Sequence, residues 1–221
     1  MLNTEYMLGL VPLFNRAAIV TVQITALGVL FSFLVAVLGN LTYYYRIPVL
    51  TGLVKCYTEL SRNTPLLAQL FFLFFGLPQL GIQFSGFVCG VIALSFLGGS
   101  YMIEALRGGI ESVSKNQLES AQSLGLSYTQ VLIYVVLPQA IRVALPALAA
   151  NVIFLLRESS LIGAIAVPEL MLIARSQIGM FFRTNEVLIM LTLYYLILIG
   201  PLSMLFSYME NRLRRERTVL S

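Results

Sequence analysis

Histidine and aspartate are absent from these 221 residues, and charged side chains make up only 11% of them. The lack of histidine removes the commonest acid-base group and metal ligand at neutral pH. Ten glutamates, scattered and joined by neither Asp nor His, leave no cluster of acids of the kind a membrane enzyme needs. The phosphate-binding pattern GxxxxGK[ST] is also missing, so this polypeptide cannot hydrolyse ATP by that route. The two cysteines, Cys56 and Cys89, lie in or beside apolar segments without metal-ligand spacing, and are expected to be free thiols with packing roles. Residues 1–10 carry Glu5, lack a basic leader and precede no small-residue cleavage site, so the first apolar run is expected to be retained as a membrane span.

What the chain has instead is apolar length. It is 58% hydrophobic with a mean hydropathy of +0.88, whereas a soluble domain typically carries about 25% charged residues. The composition predicts an all-α membrane protein. A helix needs about 20 apolar residues to cross a hydrocarbon core of roughly 30 Å. Five stretches meet or approach that length, at about 17–45, 65–80, 84–106, 131–156 and 187–208, and the polar approach at 51–64 reads as an interfacial helix.

The charge of +4 and pI of 9.2 do not indicate nucleic acid, because the basic residues gather at the ends of these stretches. Arg46, Lys55 and Arg62 follow the first, Arg107 and Lys115 the third, and Arg212, Arg214, Arg215 and Arg217 the fifth. With five spans all three groups fall on one face, which the positive-inside rule makes cytoplasmic, with the N-terminus out and the C-terminus in. The segment 157–186 reads as an external or partly re-entrant loop. The C-terminal arginines read as a snorkelling anchor on anionic lipid, and Tyr43-Tyr44-Tyr45 and Tyr194-Tyr195 as lipid-facing or interfacial belts.

Local signals refine this picture. Asn63-Thr64-Pro65 places a cap candidate before a proline at the first helical position of the second span. Pro138 and Pro146 interrupt the fourth, freeing carbonyls one turn earlier. Gly98-Gly99 thins the third near mid-depth, where another backbone or a ligand can approach. Glu104 with Arg107, and Glu59 with Arg62, are spaced for salt bridges on one helical face.

A polar island separates the third and fourth stretches: Glu119-Ser120-Ala121-Gln122-Ser123-Leu124-Gly125, followed after nine residues by Val135-Val136-Leu137-Pro138. Ser114 to Gln117 fits a capping box, Gly125 a left-handed stop, and Ser127 to Gln130 a second capping box. These bounds predict a helix of about ten residues at 115–125, short enough to need packing for stability. It is either an ordinary interfacial helix or one that docks a partner, with Ser120 and Ala121 allowing close approach and Glu119 offering a charge.

That island, with its Gly and Leu-Pro spacing, resembles the "EAA" loop by which ABC importer permeases bind their ATPases. The likeness extends further. Glu59 to Leu67 (ELSRNTPLL) resembles the "ELxRGTPLL" segment of polar amino acid permeases, Tyr101 to Gly109 (YMIEALRGG) their "AYxAExxRGG", and Leu155 to Leu161 (LLRESSL) their "LLKDTSL". The departures are Asn63 for Gly, Ser120 for Ala, Val135 for Ile and Glu158 for Asp. The resemblance, to the histidine, glutamine and arginine permeases, implies the type I ABC importer fold: five transmembrane helices and a cytoplasmic coupling helix in one domain. It implies as partners two ATPase subunits that bind ATP and Mg, a second permease subunit, identical or related, an extracytoplasmic solute-binding protein and a polar amino acid. No cofactor is expected in this chain. The coupling residues it implies are Glu119, Ser120, Ala121, Leu124 and Gly125, and the substrate residues Glu158, Ser159, Ser160, Thr64, Leu67, Gly98 and Ser100.

Glu158 follows Arg157 and 14 uncharged residues, Val143 to Leu156. An ionisable group at that depth faces a water-filled cavity or a partner. It takes either a substrate ammonium or an internal ion pair with Arg157 or Arg62. A secondary transporter or channel is the alternative class, but such a chain more often carries ionisable relays within its spans and an inverted repeat.

Overall fold

The computed structural model describes the backbone of residues 2–219 and the side chains of residues 2–212. The side chains of Arg214, Arg215 and Arg217, part of the expected lipid anchor, lie outside the described residues. The described chain is helical: α1 (Thr4–Tyr44), α2 (Pro48–Arg62), α3 (Leu66–Phe71), α4 (Gly86–Glu111), α5 (Lys115–Ser123), α6 (Tyr128–Val131), α7 (Leu137–Glu158), α8 (Leu170–Phe181) and α9 (Thr184–Val219).

Four helical runs are long and apolar enough to cross a membrane: Thr4–Tyr44, Gly86–Glu111, Tyr128–Ile165 and Thr184–Arg212. The stretch Leu66–Leu80 is apolar but shorter, and passes from α3 through a π-turn, Phe72–Gly76, into a 3-10 turn, Leu77–Leu80. It begins one residue later than the sequence suggests, because Pro65 is extended (ψ 138) and precedes the helix rather than opening it. Asn63 ends α2 instead, its amide donating to the Glu59 carbonyl and carboxylate.

Helix α1 begins well before the expected 17. Asn3 caps it by accepting from the Tyr6 amide at 3.0 Å, and Pro12, Asn15 and Arg16 are absorbed into the helix. The Asn3 amide also donates to Glu186, which ties this end to the start of α9.

Helix direction follows from paired contacts. Ser32 donates to the Leu94 carbonyl and Asn40 to the Ile103 carbonyl, so α1 and α4 run parallel. Tyr194 bonds Val11 and Asn15, which with Asn3 and Glu186 makes α9 parallel to α1. Gly90 meets Ile162, Gly98 meets Leu155 and Gly109 meets Ala140, so the α7 run is antiparallel to α4.

Lipid tails are as apolar as leucine, so burial alone does not join these helices. Close van der Waals packing over small residues does. Helix α4 is the hub, with Leu94, Met102 and Ile103 fully buried against Ile24, Ala36, Leu155 and Ile162. A second cluster joins the first half of α1 to α8 and α9 through Phe14, Leu170 and Val187. Tyr194 and Tyr195 are half-buried in it rather than facing lipid, because Tyr194 donates to Asn15 at 2.6 Å and its ring packs on Phe14.

The expected interruption of the fourth span is handled locally. A π-turn, Leu132–Val136, leads into Pro138, and the Gln139 side-chain amide donates to the Val135 carbonyl at 2.9 Å. Both cysteines are free thiols: Cys89 is buried in the central cluster, whereas Cys56 is exposed.

Candidate functional site

The polar island forms α5, a nine-residue helix held outside the bundle. Ser114 precedes it but makes no side-chain cap, contrary to the expected first capping box. The second box is present: Ser127 accepts from the Gln130 amide while Gln130 accepts from the Ser127 amide, which opens α6. Between them Gly125 takes φ +85, and its amide donates to the Gln122 carbonyl at 2.9 Å. That left-handed backbone costs a non-glycine residue about 1 kcal/mol.

Of the predicted coupling residues, Glu119, Ser120, Leu124 and Gly125 are exposed, and Leu124 is exposed at 83%. Ala121 is not. It is the one buried residue of α5 and packs with Val113, Val131, Leu132, Val136 and Ala140. Its small side chain therefore fits the helix to its own chain, and the face offered outward is Glu119, Ser120 and Leu124. Among the described residues Glu119 has no ion pair.

Beside this end of α4 lies a charged chain. Arg107 pairs with Glu104 as expected and with Glu111 at 2.9 Å. Arg62 turns away from Glu59 toward Glu104 at 3.9 Å, and its guanidinium lies 5.2 Å from the centre of the Tyr101 ring. The expected Glu59–Arg62 bridge is not formed, since Glu59 is taken up by Asn63 at the end of the same helix.

The predicted substrate residues divide. Glu158 closes α7, half-buried, with no ion pair to Arg157, Arg62 or any other described residue. Its neighbour Leu155 packs on Gly98 and Ile162 packs on Gly90, which sets Glu158 level with the first half of α4. Ser159 is buried and donates to the Leu156 carbonyl at 2.7 Å, while Ser160 is half-buried in the 3-10 turn Ser159–Ile165 that contacts α3. Leu67 on α3 is half-buried, and Thr64 donates to the Leu60 carbonyl while accepting from Gln69. Gly98 and Ser100 lie in the packed interior: a Cβ on Gly98 would strike Ser32 and Leu155, and the Ser100 hydroxyl joins Ser61 to the Leu97 carbonyl. In the folded chain both serve helix packing.

Charged residues that escaped the sequence reading include Arg142 and Glu169, besides Glu111. Arg142 sits exposed on α7, inside the fourth apolar stretch, and was masked by the prolines on either side. Glu169 is wholly buried between α7 and α8, where its carboxylate caps α8 by accepting from the Met171 and Leu172 amides at 2.7 Å. The Pro168-Glu169 pair before an apolar run was the available signal.

Burial pushes the Glu169 carboxyl up to about 7 against the pull of those two amides. A raised native value means the folded state holds the proton more tightly than the unfolded chain. The resulting stability is fully present below about 4.5 and is lost as the pH rises through about 7. The thermal midpoint is therefore expected to fall between pH ~5 and ~8, by an amount on the order of 2 kcal/mol in stability. Glu169→Gln is expected to flatten that profile, and equal slopes in the two proteins would refute the assignment.

The architecture is that of a polytopic helical membrane protein with an exposed surface helix between two spans. Residues 28–215 match the family described as the binding-protein-dependent transport system inner membrane component. The chain belongs to that family and is a multi-pass inner-membrane protein. It is 39% identical to the probable glutamine ABC transporter permease protein GlnM of Bacillus subtilis (strain 168), over 81% of this chain and 85% of that one. It is 32% identical to the L-cystine transport system permease protein TcyL of the same organism, over 94% and 90%. Among solved structures, an amino acid ABC transporter crystallised with histidines superposes with a TM-score of 0.88 at 32% identity, covering 96% of this chain and 99% of that one.

Proposed function

We propose that this chain is the permease half of an ATP-driven importer that carries a polar amino acid inward by alternating access, with α5 as the handle gripped by a separate ATPase. The observation that carries this reading is α5 itself. A nine-residue helix with one buried side chain presents a carboxylate that has no ion pair among the described residues and a leucine at 83% exposure, then stops at a left-handed glycine. So short a helix is marginal in water without a partner, and an exposed leucine beside a free carboxylate suits a groove with a basic edge. The names of the relatives, a probable glutamine permease and an L-cystine transport permease, and of the solved amino acid transporter support an amino acid as substrate.

Helix direction supports five passes. Helices α1 and α4 are parallel and both long enough to span, so the chain between them must return across the bilayer, and Leu66–Leu80 is the apolar segment available for it. Five passes put α5 on the same face as Arg46, Lys55 and Arg62, which the positive-inside rule makes cytoplasmic, with the N-terminus outside. A single chain does not enclose a pathway for an amino acid. A second permease subunit, two ATPases holding ATP and Mg, and an external solute-binding protein complete the assembly.

Glu158, with Ser160 beside it, is the group that receives the substrate ammonium or a cationic side chain. It is level with the first half of α4 and has no ion pair among the described residues, neither with Arg157 nor with Arg62, which favours this reading over a structural pair. Glu158→Gln is expected to lower transport at least tenfold with little change in folded yield, since a charge-assisted hydrogen bond is worth about 1.5–3 kcal/mol. Unchanged substrate affinity in that variant would remove Glu158 from the site.

The deciding experiment is co-purification from membranes with an ATPase subunit, followed by ATP turnover of the reconstituted assembly with a panel of amino acids. Retention of the ATPase and stimulation by one amino acid class is the expected result. A chain that transports without any ATPase belongs to the secondary-transporter class.

A further inference from the structure

The C-terminal end of α1 is bound to α6, the short helix that follows α5, by three tyrosines and a threonine. The Tyr44 hydroxyl donates to the Tyr128 carbonyl at 3.0 Å, and the Tyr128 hydroxyl returns a longer bond, 3.5 Å, to the Tyr44 carbonyl. The Tyr45 hydroxyl and the Thr129 hydroxyl lie 3.2 Å apart. The rings of Tyr44 and Tyr128 are 4.9 Å apart, with Tyr45 at 5.4 Å from the first and 6.1 Å from the second. These residues are 84 positions apart in the chain, and the bonds between them are solvent-exposed. Lipid contact alone does not require rings to meet in this way.

The position of the cluster gives it a consequence. Ala121 seats α5 on the cluster formed by Val131, Leu132, Val136 and Ala140, so a displacement of α5 enters α7 through α6 by covalent continuity. No covalent path of comparable length leads from α5 to α1. Beside the packing of Leu41 on that same cluster, the tyrosines supply one through space, at the point where α1 ends and Arg46 turns the chain with φ +52. Helix α1 is in turn keyed to α4 by the Ser32 and Asn40 bonds, and to α9 by Tyr194. Movement delivered to its end is transmitted along a packed column.

We propose that Tyr44, Tyr45, Tyr128 and Thr129 form a clasp that couples displacement of α5 to α1, so that both halves of the helical bundle move when the ATPase pulls. They are positioning residues, touching neither substrate nor nucleotide. The proposal rests on the importer reading above, and its test separates the two.

The measurement is substrate moved per ATP hydrolysed by the full assembly in liposomes, with permease, ATPase and solute-binding protein present. Tyr128→Ala removes the central ring, and is expected to lower that ratio roughly tenfold while the ATPase stays bound. Tyr128→Phe keeps the ring and loses only the long 3.5 Å bond, so it is expected to restore the ratio. Tyr45→Phe and Thr129→Val remove opposite ends of one contact, so the double variant is expected to be no worse than the poorer single one. A wild-type ratio in Tyr128→Ala overturns the clasp. So does loss of bound ATPase with the ratio per assembled transporter unchanged, which would mark the cluster as structural only. A wild-type chain that retains no ATPase overturns the importer reading itself, and the clasp with it.

Discussion

Gly125→Pro and Glu119→Lys are each expected to abolish uptake while leaving the chain inserted at wild-type levels. The two act by different physics on the same helix. Gly125 needs φ +85, and proline is locked near −65°. Proline also lacks the amide that bonds the Gln122 carbonyl at 2.9 Å, so the turn after α5 must rebuild. The conformational cost is about 3 kcal/mol or more, and it falls on a segment whose only buried side chain is Ala121. The spans are untouched and insertion continues, but α5 no longer points where a partner expects it.

Glu119→Lys leaves the turn intact. The side chain is exposed and has no ion pair among the described residues, so folding stability changes by no more than about 0.5 kcal/mol. On the docking reading proposed above, a groove edge that takes a carboxylate would meet a like charge instead, a substitution that costs several kcal/mol at an interface. Immunoblotting of the membrane fraction, ATPase co-purification and uptake measured together give the answer: normal membrane levels, no ATPase and no uptake. Normal uptake by both variants would remove α5 as the docking helix, whatever else the bundle does.

These residues were readable in the sequence because their signals are local. A glycine after a polar turn and a Ser-x-x-Gln before an apolar run act through backbone hydrogen bonds within a few residues. Ser127 and Gly125 accordingly do what their patterns suggest. Ser114 matched a pattern equally well but makes no side-chain cap; the Gln117 amide donates to its backbone carbonyl at 3.1 Å. The apolar runs were legible by length, whereas their ends were not. The first apolar stretch was read from about 17, yet Asn3 supplies a cap that starts α1 at Thr4.

The choice of partner was the part sequence spacing could not supply. Glu59 and Arg62 have the same spacing as Glu104 and Arg107, but Asn63 sits where it can take Glu59, and α4 brings Glu104 to Arg62. Gly98 was read as admitting either a ligand or another backbone, and Ser100 as a substrate residue. The placement of α1 and α7 puts Ser32 and Leu155 against Gly98, and α2 puts Ser61 against Ser100. Ala121, read as allowing a partner to approach, is likewise turned onto its own chain.

Gly109 provides the sharpest test of that packing, since Gly108 beside it is an internal control. Both lie in the last turn of α4. A Cβ on Gly109 would come inside 3.0 Å of the Ala140 carbonyl oxygen and within 3.1 Å of Ala144, whereas a Cβ on Gly108 would meet nothing within 4 Å. Replacing a helical glycine with alanine stabilises an exposed position by about 0.5–1 kcal/mol. Gly108→Ala is therefore expected to be neutral or stabilising. At Gly109 that gain is overrun, because the obstacle is backbone that has no rotamer to escape into, and overpacking costs typically 1–3 kcal/mol and at times more. Gly109→Ala is expected to lose about 1–2 kcal/mol on balance, and Gly109→Val enough to prevent recovery of folded protein, since a branched side chain adds further atoms on the same crossing. Thermal aggregation midpoints and the monodisperse fraction in detergent measure both. A Gly109→Val chain as stable as Gly108→Val would mean that α4 and α7 do not cross at this point. The antiparallel pairing of α7 with α4, and the seat it provides for α5, would then have to be redrawn.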